Sequence, residues 1–163
     1  MIASIIIILG VVLADQITKI LAATYLDPNQ PTVLIKGVFR FTYVENRGAA
    51  FGMLDDARWV FMVLSTVAIV AICYYLFRYR PQNKMLMVSL SLVAGGGIGN
   101  MIDRVRLGYV IDFFDFYAFP KIWIWVFNVA DACVCVAAGM LIIYLFLDLL
   151  KEKKQAAQNE NQL

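Results

Sequence analysis

Four long apolar stretches constrain this chain more than any other feature. They cover residues 2–26, 59–77, 85–104 and 122–147, each close to the roughly 20 apolar residues that a helix needs to cross a bilayer. Backbone N–H and C=O groups cannot stay unpaired in hydrocarbon, so stretches of this length fold there as helices. Composition agrees. Only 16% of the residues are charged, against about 25% in a soluble domain, and the mean hydropathy is +0.75. A net charge of +2 excludes a basic nucleic-acid binder, and the count of His is 0, which removes Ser-His and Cys-His catalysis and most zinc sites. The expected fold is mainly α and integral to a membrane. Residues 1–154 form one four-helix transmembrane domain, followed by a polar, frayed cytoplasmic tail at 155–163.

The first stretch reads as a retained helix. A cleaved signal peptide opens with basic residues, and here nothing before Lys19 is basic. The link after the second stretch carries Arg78, Arg80 and Lys84 with no acid, and the tail adds Lys151, Lys153 and Lys154. Basic residues crowd the cytoplasmic ends of spans, so the link and both termini are expected in the cytoplasm.

The opposite connections carry structure of their own. Residues 32–44 read as a hairpin turning at Lys36-Gly37, with Phe39, Phe41 and Tyr43 alternating with Arg40 and Thr42. Residues 112–120 form an aromatic loop, followed by Trp123 and Trp125, as in an interfacial belt. Such a small strand pair needs a surface to lie on, and the outer membrane boundary supplies one.

Charged and amide side chains in or beside the spans cost free energy, about 2.5–3.5 kcal/mol for a charge at mid-bilayer on insertion scales. Asp15 and Lys19 lie four apart on one helical face, consistent with a self-neutralising pair. Asn100, Asp103 and Arg104 share another face, after a glycine run whose G-x-x-x-G spacing suits close helix contact. Asn46-Arg-Gly-Ala-Ala-Phe-Gly52 follows the hairpin, and its Asn could anchor a peptide backbone. Asp112 stands just beyond the third span. Asp131, with Asn128 one turn earlier, falls inside the fourth, about 13 Å along a helix starting near residue 122. Two carboxylates brought together in a low-dielectric site share a proton, one then serving as general base toward water and the other as acid. Helix-end salt bridges and a proton relay remain alternatives on spacing alone. Cys73, Cys133 and Cys135 read as free buried thiols.

Together these motifs resemble the bacterial lipoprotein signal peptidases, the signal peptidase II family of membrane aspartyl endopeptidases. The resemblance runs through Asp15-Gln-Ile-Thr-Lys19, Asn46-Arg-Gly-Ala-Ala-Phe-Gly52, Gly99-Asn-Met-Ile-Asp-Arg104, Val110-Ile-Asp-Phe113 and Phe127-Asn-Val-Ala-Asp131. It implies four transmembrane helices with an outer β-cradle and a short outer helix. It implies Asp112 and Asp131 as the catalytic dyad, with Asp15, Asn46, Asn100, Arg104 and Asn128 supporting it or binding substrate, and Asp103 in a structural role. The implied substrate is a prolipoprotein whose lipobox Cys carries diacylglycerol, cut just before that Cys. No metal or cofactor and no nucleic acid is expected. Membrane lipids are expected as partners, a monomer as the assembly, and the bacterial cytoplasmic membrane as the location, with the active site near the outer leaflet.

Overall fold

The computed structural model describes residues 1–48, 58–118 and 125–160. Four helices carry the apolar stretches: α1 (Ile2–Tyr25), α2 (Arg58–Tyr79), α3 (Lys84–Arg106) and α4 (Val129–Glu160). All four are long and apolar enough to span a membrane. Local chemistry sets their ends. α1 stops at Leu26, whose extended backbone leads toward Pro28. Asn83 caps α3 by accepting from the Leu86 N–H at 3.1 Å. At its other end Gly108 takes φ +85°, the left-handed turn that commonly closes a helix.

α3 is the hub, touching α1, α2 and α4. Its glycines make those contacts possible. A Cβ on Gly95 would lie 2.8 Å from Val11 of α1, on Gly97 2.9 Å from Ile69 of α2, and on Gly96 2.6 Å from the Ala130 carbonyl of α4. The expected close-contact role of the glycine run thus extends to three neighbours. Most large apolar side chains of α1, α2 and α4 face outward, among them Ile6, Val67 and Ile142. Outward apolar faces suit a lipid solvent. The three cysteines are free, and Cys135 points outward from α4 rather than inward.

At one end of the bundle lies an antiparallel sheet in the order β1 (Thr32–Ile35), β2 (Phe39–Asn46), β3 (Val110–Phe116) and β4 (Val126–Phe127). The hairpin expected at 32–44 is β1–β2, with β2 running on to Asn46. The segment expected as an aromatic loop is largely strand β3, because its backbone pairs along β2 from Phe39↔Phe116 to Asn46↔Val110. Pro120 and Trp123 lie outside the described residues, as do residues 49–52 of the post-hairpin motif. The short outer helix has no counterpart among the described residues.

Two boundaries differ from the sequence reading. α4 begins at Val129, not near residue 122, because residues 126–127 are taken into the sheet as β4. It then continues through Glu160, so helix occupies most of the tail expected to fray. At 1.5 Å per residue its 32 residues extend about 48 Å, beyond a hydrocarbon core of about 30 Å.

One irregularity in the sheet matters for the site. Phe39 and Phe41 pair with Phe116 and Phe114, but Val44 and Asn46 pair with Asp112 and Val110, so the register shifts by one residue between Phe41 and Val44. The extra residue in β2 reverses which of its side chains share a face with β3. Asn46 thereby joins Asp112 on the face that carries Phe114 and Phe116.

Candidate active site

Asn128, immediately before α4, organises the site. Its Oδ1 accepts from the Asp131 N–H at 2.9 Å, while an Asp131 oxygen accepts from the Asn128 N–H at 3.2 Å. This reciprocal arrangement is a capping box, and it fixes Asp131 in the first turn of α4. The Asn128 Nδ2 then donates 2.6 Å to the second acid, Asp112 of β3, and 3.1 Å to Asn100 of α3. Both acids expected from the sequence are therefore bonded to one residue.

Each acid has a further amide donor. Asn46 Nδ2 donates 2.9 Å to Asp112, and Asn100 Nδ2 donates 2.7 Å to Asp131. Asp112 is buried, whereas Asp131, Asn46 and Asn100 keep partial exposure. The acids thus sit at the edge of the protein interior, Asp131 the more exposed of the two. Burial pushes the Asp112 carboxyl up from its ordinary 3.8 to about 6; the Asn46 hydrogen bond opposes the rise, the Asp131 charge adds to it, and Asn128 and Lys19 oppose it more weakly.

A buried ionic cluster lies behind this layer. The Lys19 ammonium reaches Asp15 at 2.9 Å, Asp103 at 2.9 Å and Asn100 Oδ1 at 2.8 Å, which occupies all three of its N–H donors. Asp15 also accepts from the Ala130 N–H at 3.0 Å, tying α1 to the start of α4. Asp103 accepts from the Ile111 N–H at 3.1 Å, tying α3 to β3. Gln16 joins the two carboxylates, donating 3.3 Å to Asp15 and 3.0 Å to Asp103. Lys19 is 2% exposed and Asp15 0%, and a buried charge without such partners would cost several kcal/mol.

Of the supporting residues expected from the sequence, Asn46, Asn100 and Asn128 touch the acids directly. Asp15 does not; its oxygens serve Lys19, Gln16 and the α4 backbone. Arg104 stands apart, with Nη1 3.4 Å from the Asn100 carbonyl oxygen. Sequence reasoning underrated Lys19 and Gln16. A lysine in an apolar span already signals a buried partner, but i,i+4 spacing shows only its nearest one. An apolar cleft of about 420 Å³ opens where α1 meets β2 and β3, lined by Leu21, Ala22, Leu26, Phe41 and Phe113.

Residues 7–147 match the family described as signal peptidase (SPase) II. The chain is 47% identical over 144 residues to the lipoprotein signal peptidase of Caldanaerobacter subterraneus, covering 86% of this chain and 96% of that protein. It is 43% identical to that of Symbiobacterium thermophilum, covering 88% and 94%. A bacterial membrane enzyme solved by the in meso method at 2.3 Å superposes with a TM-score of 0.81 at 32% identity, over 90% of this chain and 89% of the other.

Proposed function

The chain belongs to the signal peptidase II family, and from that premise we propose that it removes the signal peptide from diacylglyceryl-modified prolipoproteins by an aspartyl dyad, Asp112 and Asp131. As a family member it is a multi-pass bacterial membrane peptidase acting on lipoprotein precursors. The dyad reading rests on one observation: Asn128 hydrogen-bonds both carboxylates. Two acids held by one residue lie close enough for the charge of Asp131 to help push the Asp112 carboxyl up, the behaviour expected of a pair that shares a proton.

The ionised member takes a proton from water, and the resulting hydroxide attacks the carbonyl carbon of the residue before the lipid-bearing Cys. The protonated member gives its proton to the carbonyl oxygen, leaving a neutral gem-diol. The first acid then passes its proton to the amide nitrogen as the C–N bond breaks. The second recovers a proton from a diol hydroxyl as the new carboxyl forms. Both acids return to their starting states, and no metal enters the cycle.

The lipidated Cys keeps its acyl chains in the bilayer, so its scissile bond belongs at the headgroup level. The sheet-bearing end of the bundle is the outer one in this reading, with both termini in the cytoplasm. Two features support this: the basic 78–84 link lies at the opposite end, and the cleft between α1 and the sheet offers apolar surface to an acyl chain. Arg104 and Asn46 border the substrate peptide, and one monomer holds every group required.

The test is release of signal peptide from a diacylglyceryl precursor by purified protein in lipid. The wild type cleaves, while Asp112→Asn and Asp131→Asn each lose at least about a thousandfold in kcat at unchanged expression. Full activity in either variant overturns the dyad, and cleavage of an unlipidated precursor at the same rate overturns the substrate class.

A further inference from the structure

Lys19 touches neither acid, yet it fixes which way hydrogen bonds run toward them. An ammonium can only donate, so the group it meets at 2.8 Å on Asn100 is the carbonyl oxygen, and the Asn100 amide nitrogen must face Asp131. The Asn128 amide points the same way, donating to that Asn100 oxygen while its own oxygen is held by the Asp131 N–H. One Asp131 oxygen therefore receives the Asn100 N–H, and the other receives a backbone N–H from Asn128. The backbone donor is fixed, and the Asn100 amide cannot be turned over without breaking its bond to Lys19.

Asp112 is held differently. Its Oδ1 receives the Asn128 amide, but its Oδ2 faces Asn46, whose amide is oriented, among the described residues, by a 3.3 Å bond from the Gly48 N–H. Turning that amide over presents a carbonyl oxygen, which accepts from a protonated Asp112 as readily as the amino group donates to an ionised one.

We propose that Lys19 is a positioning residue which, through Asn100, commits Asp131 to be the ionised, water-activating member of the pair and leaves Asp112 as the proton carrier. This rests on the dyad reading above and adds an order to it. The elevated titration of Asp112 agrees with the assignment. The charged groups around Asp131 are Lys19 and Asp15 of α1, Asp103 and Arg104 of α3, and Asp112 of β3. Lys19 is the cation whose bond leads to Asp131 through a single side chain. An ion-pair scaffold alone would hold α1, α3 and α4 together without ordering the acids.

The test is the kcat–pH profile of Lys19→Met and of the charge-balanced pair Asp15→Asn/Lys19→Met, measured on the lipidated precursor and compared with wild type and Asp15→Asn. The expected result is a kcat lower by about 10–100-fold with KM nearly unchanged. The acid limb moves to higher pH by roughly one unit, because the ionised form of the pair loses the donor that Lys19 holds in place. Asp15→Asn alone does not move that limb upward. A folded Lys19→Met or double variant with its acid limb in place overturns the proposal. The division of labour is read independently by infrared spectroscopy near pH 6. The protonated-carboxyl band is lost in Asp112→Asn and kept in Asp131→Asn; the reverse pattern overturns the assignment even where the Lys19 variants fail to fold. A wild type that does not cleave, or cleaves without either acid, would be failure of the dyad reading instead.

Discussion

Asn128 and Asp131 cap one another: the Asn side chain takes the Asp N–H, and the Asp side chain takes the Asn N–H, at 2.9 and 3.2 Å. A helix start and a candidate reacting group are thus built by the same four residues. The separable part is the Asn128 amide nitrogen, which reaches Asp112 at 2.6 Å. Serine at 128 preserves a good cap but is too short to make that second bond. Asn128→Ser should keep the cap yet lower stability by about 1–3 kcal/mol, because the Asn100 and Ile111 oxygens lose a donor, while kcat falls by roughly a hundredfold. Thermal unfolding and precursor cleavage measured on one preparation check both halves.

The elevated Asp112 carboxyl gives a pH prediction with a definite sign. A group that must be protonated loses activity as pH rises through its titration, so kcat/KM of the free enzyme should decline on the alkaline side, beginning near pH 6. The Asn46 hydrogen bond favours the charged form, so its removal raises the titration further. Asn46→Ala should therefore move the alkaline limb to higher pH, whatever it does to KM. Profiles of the two proteins side by side decide it.

Asp15 is a structural carboxylate, and its substitutions should show this in stability before catalysis. Asp15→Ala removes one of the two carboxylates that neutralise the buried Lys19 and leaves the Ala130 N–H without its acceptor, at an expected cost of about 3–5 kcal/mol. Asp15→Asn keeps an acceptor for Ala130 and should cost clearly less. Midpoints of denaturation in a fixed detergent would rank the three proteins.

Helix contact through α3 makes a contrast among glycines. A methyl at Gly96 would meet the Ala130 backbone carbonyl at 2.6 Å, and backbone cannot swing aside. Gly96→Ala should push α4 away, lowering stability by about 1–3 kcal/mol and loosening Asp131 with it. Gly139→Ala, at a helical site with open space around the new carbon, should be neutral or mildly stabilising. Thermal midpoints and cleavage rates of both variants test the difference.

Much of this was legible in the residues themselves. Span length and apolarity gave four helices, and the i,i+3 spacings of Asn128 with Asp131 and of Asn100 with Asp103 put chemistry on shared faces. The bulge was not legible. Strict alternation from Phe39 through Tyr43 would place Glu45, not Asn46, beside Asp112, and the one-residue shift that corrects this is set by pairing with a strand about 70 residues away. The start of α4 was hidden for a related reason: residues 126–127 are apolar enough to continue a span, yet pairing with β3 claims them. Lys19 shows the general limit. Its neighbour at i+4 spacing is visible in sequence, but Asp103 and Asn100 are brought to it only by helix packing.

The bond from the Ala130 N–H to Asp15 joins positions 115 apart. α1 is synthesised well before α4, so the Ala130 N–H reaches Asp15 only after α2, α3 and the strands β1 to β4 have been made. Hydrolytic competence arrives late, with insertion of the final crossing. Truncated products lacking that crossing would enter the membrane as inert proteins, unable to nick precursors travelling beside them.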